Sequence, residues 1–320
     1  MERNRETWLL VDGHNMAFRC FYGVPQMTTS DGLPVNAVHG WVRSLWKLED
    51  MVTPNAVCVF FDAGGSAARK EVLSTYKANR KAMPDALKSQ LEYLHLLSVA
   101  HGYYIVSKEG IEADDLLAAF AKRLSESNAT AYIASGDKDF AQCVGENIFQ
   151  MLPPAADAKG TWRILDRGGV KEKFGIFPEQ IVDYLSLLGD ASDNISGVDG
   201  VGEKRAERLL NEFGSVDNLL KNLHKVSSDR IRESLRASEG LIVRNRKLIA
   251  LSTAQCCENS PGAATPLDCD ALVALPEAKI LRSPEDVFAL LKKLQLSALL
   301  KTACSRYGSC GQGELFDVHR

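Results

Sequence analysis

Three short apolar runs, WLLVD at 8–12, VCVFFD at 57–62 and AYIASGD at 131–137, each stop at an aspartate. A run of this kind ending in an acid is how a buried parallel strand delivers a polar side chain to its C-terminal edge. Helical spacing of apolar residues fills the intervals, over 37–52, 84–100 and 113–127. Alternating strands and helices predict a mostly parallel sheet, and in open sheets of that kind ligands lie outside the carboxyl ends of the strands. Asp12, Asp62 and Asp137, with Asp139 two residues further on, are therefore expected on one rim. An aspartate after a strand is also a common turn former. Any one of these would read as a turn; three on one edge favour a site.

The segment IEADDLLAAFAKR at 111–123 places Glu112, Asp114 and Asp115 at the start of an apolar-faced helix, after a further strand-like run at 103–106. A helix N-terminus tolerates acids, so a solvated first turn explains them equally well in isolation. Three acids in one turn also repel one another unless a cation sits among them. Their expected place beside the other strand ends decides for the second reading.

Between Asp62 and Glu112 lies a basic stretch carrying Arg69, Lys70, Lys77, Arg80 and Lys81, with Tyr76 interleaved, ahead of Met83-Pro84. Charge runs are usually exposed faces. This one springs from a candidate ligand, which favours a phosphate-gripping element over the acidic rim. From Pro84 a helix is expected with Leu87, Leu91, Leu94 and Leu97 on its apolar face.

A second unit begins near Phe177-Pro178. Asp190 and Asp193 follow its first helix, and GVDGVGEKRAERLL leads into another. A Walker A loop is excluded because Gly202 precedes Glu203 where that loop needs lysine. A helix-hairpin-helix turn fits: Gly200 and Gly202 let backbone approach a phosphate, and Lys204 and Arg205 add charge at the same helix end. A plain glycine-rich loop between helices is the alternative.

Charge separates along the chain. Residues 203–247 hold eleven Lys or Arg against seven acids, whereas 112–139 hold six acids against three bases. That asymmetry suits an acidic site beside a phosphate-binding surface although the whole chain is at −3. The eight cysteines form no CxxC pair and read as thiols of a reducing compartment. No apolar run reaches membrane-spanning length and the start lacks a secretory core, so an intracellular, cytoplasmic protein without membrane contact is expected.

With these pieces in place, the chain resembles the 5′-nuclease family, which includes the N-terminal domain of bacterial family-A DNA polymerases, phage 5′-exonucleases and flap endonucleases. The similarity is closest to the bacterial type and runs from about residue 7 to 303. It rests on VDGHNMAFR, VFFDAGGSAARKE, TYKANRKAMP, IEADDLLA, SGDKDFAQ and LLGDASDNISGVDGVGEK. The resemblance implies an α/β, PIN-like catalytic domain over 1–175 with a helical arch at about 66–100. It further implies a helix-three-turn-helix module for duplex DNA at 176–260, a C-terminal packing segment at 261–303 and a mobile tail at 304–320. The family's metal-binding carboxylates match Asp12, Asp62, Glu112, Asp114, Asp115, Asp137, Asp139, Asp190 and Asp193. Its substrate-gripping positions match Arg19, Tyr76, Lys77 and Arg80, and its duplex-holding turn matches Gly200, Gly202, Lys204 and Arg205. Where bacterial relatives often carry His-Arg-Pro-Pro, this chain has Asn79-Arg80-Lys81-Ala82.

The implied reaction is hydrolysis of DNA phosphodiesters to a 5′-phosphate and a 3′-hydroxyl, as exonuclease and flap endonuclease, in replication or repair. Two Mg²⁺ ions would serve it, with Mn²⁺ able to substitute, and a K⁺ ion is implied at the Gly200–Gly202 hairpin. Asp12, Asp62, Glu112, Asp114 and Asp115 are assigned to one ion and the remaining four acids to the other, with Asp115, Lys77 and Arg80 named catalytic. The expected partner is DNA with 5′ ends, flaps or nicks, RNA–DNA hybrid being left open, bound by a monomer. Two rivals stand: a non-catalytic structure-specific DNA binder, and a PIN-like ribonuclease. A phosphatase with an Asp-x-Asp loop is disfavoured because His14 takes the second acidic position after Asp12.

Overall fold

The computed structural model describes residues 5–64, 67–154, 161–252 and 279–308. A six-stranded sheet runs through the larger body in the order β3-β2-β1-β4-β5-β6. Its strands are β1 (Thr7–Asp12), β2 (Ala56–Phe60), β3 (Tyr104–Val106), β4 (Thr130–Ala134), β5 (Ile148–Leu152) and β6 (Arg163–Leu165). All neighbours pair in parallel except β5 with β6, which are antiparallel. Strands β1 and β2 are buried on both faces, which is why they read as continuous apolar runs without alternation.

Helices cover both faces. On one side α1 (Gly13–Gly23), α2 (Asn36–Val52) and α4 (Asp85–Ala100) pack around Trp41, Leu45 and Leu94. On the other, α5 (Ala113–Glu126) presses Leu117 and Phe120 onto Trp8, Leu10 and Phe60. Trp8 and Phe120 meet edge to face at 5.4 Å. Burial of each such side chain stabilises the fold by roughly 1.5–3 kcal/mol. A short helix, α3 (Ala67–Val72), follows Asp62, and residues 73–84 continue as turns without further helix. The arch expected over 66–100 is thus narrower. Residues from 85 onward belong to the body, because Leu87, Leu94 and Leu97 are buried in its core.

The smaller module is helical around its own apolar cluster, which includes Leu185, Leu210, Leu219 and Leu235. It starts with α6 (Arg167–Phe174) and α7 (Ile181–Leu188), then turns through a two-residue hairpin, β7 (Gly189–Asp190) and β8 (Ile195–Ser196). It continues with α8 (Glu203–Phe213), α9 (Val216–Lys221), α10 (Asp229–Ala237) and α11 (Glu239–Ile249). The last two helices, α12 (Pro284–Lys293) and α13 (Ser297–Tyr307), return to the large body, where Val287, Leu291 and Leu299 join its core. Buried Glu49 on α2 receives Arg282 and Arg306 there. Helix α13 runs past 303, so residues 304–307 are packed helix where a tail was expected. The end of the expected 176–260 module from 253, the first part of the expected 261–303 packing segment to 278, and the rest of that tail lie outside the described residues. Cys20 and Cys143 are free thiols, but Cys304 is disulfide-bonded, contrary to the expectation of unpaired thiols.

Candidate active site

The chain proceeds from β1 to β2 and β3 on one side, then crosses to β4 on the other, so the order reverses between β1 and β4. Open α/β sheets leave a crevice at such a switch point. Asp12 ends β1 there and is buried. Its Oδ1 caps α1 by accepting from the Asn15 amide at 3.1 Å, and its Oδ2 accepts from the Ser135 hydroxyl at 2.7 Å. Ser135 also accepts from the Asp137 amide at 3.0 Å, and Asp137 in turn accepts from the Asp139 amide at 3.0 Å. One hydroxyl therefore ties together the two strand ends that flank the reversal.

Asp62 lies two residues beyond β2 and accepts from the Ala113 amide at 2.8 Å, which fixes the start of α5 beside it. Glu112 caps α5, and Asp114 and Asp115 fill its first turn. Asp190 sits in β7 and Asp193 in the tight turn that follows. Asp12, Asp62, Asp114, Asp137, Asp139, Asp190 and Asp193 lie near enough to act on one another's charge. Burial pushes the Asp12 carboxyl up to about 7, with the charges of Asp137 and Asp62 adding to it. Asp114 is raised well above the ordinary carboxylate range, first by burial and then by Asp12, Asp137 and Asp62. Burial followed by Asp137 and Asp190 does the same to Asp139. Asp137 is also raised, by burial and by Asp193 and Asp190. Asp190 alone moves down: burial would raise it, but hydrogen bonds from Ser192 and the Lys138 ammonium outweigh that.

The chain supplies cations of its own to this cluster. Arg69 reaches Glu112 and Asp115 at 2.6 and 2.7 Å, Lys77 reaches Glu112 at 3.0 Å, Arg80 reaches Asp193 at 2.5 Å, and Lys138 reaches Asp190 at 3.1 Å. Tyr76 is buried, its hydroxyl donating toward Glu112 and Asp193 at 3.4 and 3.2 Å. Further bonds follow: the Lys77 backbone amide donates to the Asp193 carbonyl, the Asn79 side-chain Nδ2 to that of Ala191, and the Asn194 side-chain Nδ2 to that of Thr75. Lys77 has φ +57°, an uncommon conformation for a side chain of its size, imposed by this docking. The segment 75–80 is thus strapped across the Asp190–Asn194 turn.

Among the described residues, no group of three or more His, Cys, Asp or Glu is arranged so that it could hold a metal ion as it stands. The chemistry of the donor set nevertheless fits a hard divalent cation, which takes oxygen ligands. Buried Asp139 Oδ1 has no hydrogen-bond partner, and the carboxyls of Asp12, Asp114, Asp137 and Asp139 are raised by burial and by one another's charge, which a cation would offset.

The remaining candidates lie elsewhere. Arg19, in the second turn of α1, donates to the Pro154 carbonyl. Gly200 has φ +73°, Gly202 caps α8, and Lys204 and Arg205 are exposed in the first turn, where Arg205 donates to the Gly200 carbonyl. Sequence reasoning gave no role to Ser135 or Lys138 and did not separate Arg69 from its basic neighbours. A small hydroxyl residue two before Asp137 was the one available hint for Ser135.

Two family models match. One, described as the 5′-3′ exonuclease N-terminal resolvase-like domain, covers residues 7–175; the other, the 5′-3′ exonuclease C-terminal SAM fold, covers 176–268. A 5′-3′ exonuclease of Aquifex aeolicus is 33% identical over 97% of this chain and 100% of its own length. The thermostable DNA polymerase I of Thermus filiformis is 43% identical over 231 residues, 72% of this chain and 26% of the polymerase. The DNA polymerase I of Caldicellulosiruptor bescii is 35% identical over 76% of this chain and 28% of its own length. The chain thus spans about a quarter of the length of these polymerases. The flap endonuclease of bacteriophage T5, solved as a pseudo-enzyme-product complex with DNA and metal ions, superposes with a TM-score of 0.63 at 24% identity over 91% of this chain and all of its own. The catalytic core of Rad2, solved with DNA substrate, superposes at 0.55 with 13% identity over 91% and 88%. Both share the fold.

Proposed function

Because this chain belongs to the 5′-3′ exonuclease family, we propose that it hydrolyses phosphodiesters of DNA at 5′ ends and flaps, leaving a 5′-phosphate and a 3′-hydroxyl. The observation that carries the reading is the convergence of carboxylates from β1, β4, the residue pair after β2, the α5 turn and the β7 turn on one crevice. Asp12, Asp62, Glu112, Asp114, Asp137, Asp139, Asp190 and Asp193 would hold two divalent ions, with Mg²⁺ the natural occupant of an all-oxygen site. Bound there, such a pair neutralises phosphoryl oxygens and lowers the pKa of an attacking water.

The chain's own residues do the rest. Ser135 and Asn15 orient Asp12. Lys77 and Arg80 end in charged groups at the cluster and can transfer their donors to the scissile phosphate, an electrostatic role. Tyr76, buried beneath them, anchors the strap and is not a surface contact. On the helical module, Gly200, Gly202, Lys204 and Arg205 would hold duplex backbone with little regard to sequence, a K⁺ ion completing the hairpin. Arg19 would add charge near the rim. A monomer acting in the cytoplasm on replication or repair intermediates fits these parts.

Incubation with Mg²⁺ and labelled 5′-flap, blunt duplex, RNA–DNA hybrid and RNA tests this. Expected is release of the flap with a 5′-phosphate, abolished by EDTA. Tight flap binding with no hydrolysis would favour a non-catalytic binder, and cleavage confined to RNA a PIN-like ribonuclease.

A further inference from the structure

Arg69 is 7% exposed, and its guanidinium satisfies every donor it owns. Nη1 donates to Glu112 Oε2 at 2.6 Å and to Asp115 Oδ2 at 2.7 Å; Nη2 donates to Asp115 Oδ1 at 2.8 Å and to the Ala250 carbonyl at 3.3 Å; Nε donates to the Leu248 carbonyl at 2.9 Å. A guanidinium has five N–H groups in a fixed fork, and here five acceptors meet them. The Ser252 amide closes the last side by donating to Asp115 Oδ1 at 2.7 Å. Both oxygens of Asp115 are thus committed to the Arg69 guanidinium and the Ser252 amide.

We propose that Arg69 is a positioning residue for cleavage, and that Asp115 is its bracket rather than a cation ligand. The proposal rests on the nuclease reading above for its rate arm only. Arg69 joins three elements at one point: the base of the strap through α3, the acidic turn of α5, and the carbonyls that end α11 of the helical module. The α5 turn carries Glu112 and Asp114, so the fork sets where both lie. Because α11 packs against α7, which leads into the β7 turn, the same fork fixes the helical module relative to the carboxylates. A plain counter-ion would need charge alone. The in-plane, two-pronged match to Asp115 and the two carbonyl contacts require the guanidinium shape, which lysine lacks.

Four variants of the full chain test this: Arg69→Lys, Asp115→Asn, Arg69→Lys with Asp115→Asn, and Asp114→Asn. Ca²⁺ binding is read by calorimetry without DNA, and single-turnover cleavage of a 5′-flap is read in Mg²⁺. Asp115→Asn is expected to bind Ca²⁺ within threefold of the parent, whereas Asp114→Asn weakens binding at least tenfold. Each single Arg69 or Asp115 change is expected to slow cleavage at least tenfold at saturating Mg²⁺ with flap affinity within threefold. The double variant should be no slower than the worse single, since a broken pair cannot be broken twice. Loss of Ca²⁺ binding in Asp115→Asn equal to that in Asp114→Asn would make Asp115 a ligand and overturn the proposal. So would additive rate losses, or full activity in Arg69→Lys. A parent chain that cuts no DNA would remove the nuclease reading, while the calorimetric comparison would still decide the role of Asp115. Should Arg69→Lys fail to fold, Asp115→Asn against Asp114→Asn decides alone.

Discussion

The Ser135 hydroxyl donates to Asp12 at 2.7 Å, and this one bond links the ends of the strands on either side of the sheet's reversal point. It stabilises the ionised form of a carboxyl that burial has pushed up to about 7. A cation needs that ionised form, so its affinity should rise as pH rises through about 7 and fall below it. In Ser135→Ala the carboxyl loses a donor and titrates higher still. Cleavage in subsaturating Mg²⁺ should then drop at least threefold at pH 6.5 and much less at pH 8.5. Parallel pH–rate profiles for parent and variant would dissociate Ser135 from the chemistry.

Lys77 touches Glu112, and Arg80 touches Asp193. Lys77→Ala is expected to lower the single-turnover rate by about 10²-fold, the scale for loss of one preorganised charge at a reacting group. Divalent-ion affinity should hold or improve, because Glu112 is released from a competing cation. Quench-flow rates paired with calorimetric Ca²⁺ binding check both halves, and an unchanged rate would strike Lys77 from the mechanism.

Gly189 connects α7 to Asp190 with φ +74°, and a β-carbon there would stand 2.4 Å from the Gly197 amide nitrogen and the Ile195 carbonyl oxygen. Both are backbone, so neither can swing aside. Gly189→Ala should cost about 3 kcal/mol or more in urea unfolding, combining strain and clash. Any fraction that folds should cut poorly, because Asp190 is the next residue. Near-parental stability would mean that the β7–β8 turn relaxes easily.

His101 is buried between two partners that leave no room for a second proton: its Nε2 accepts from Trp46 Nε1 at 3.0 Å, so its Nδ1–H donates to the Leu97 carbonyl at 2.6 Å. Burial lowers its pKa from 6.5 to about 4. The unfolded chain therefore binds the proton first as pH falls, so this contribution to stability is complete above pH 6.5 and is lost progressively down to about 4. The full span is about 3 kcal/mol. Urea midpoints measured across that window should fall steeply for the parent and less for His101→Gln; equal slopes would place the pH dependence elsewhere.

Much of this was legible in the chain because strand ends announce themselves. Apolar runs that stop at Asp12, Asp62 and Asp137 gave the parallel strands and their shared edge, since a buried strand must be apolar until it reaches solvent. Strand-like runs are readable at 148–152 and 162–166, but the antiparallel direction of β6 was not: three residues carry no directional signal, and its pairing depends on how the chain returns after residue 152. The residues themselves separate the basic stretch from the helix that opens at Pro84, and the wider arch over 66–100 is what the resemblance implies; packing beneath Leu87 and Leu94 puts α4 with the body. Arg69 was indistinguishable from exposed Lys70 because its carbonyl partner Leu248 lies 179 positions away.

The strap residues also give the crevice a way to sense its own occupancy. A lysine that sits on Glu112 cannot at the same moment sit on a phosphate, and the same holds for Arg80 and Asp193. An incoming polyanion that draws these side chains off bares the oxygens on which a divalent ion would settle, and the ion in turn frees the side chains for the polyanion. Each newcomer thereby strengthens the other's hold, by thermodynamic reciprocity. In the idle protein Glu112, Asp115, Asp190 and Asp193 are the acids already met by tethered ammonium and guanidinium groups.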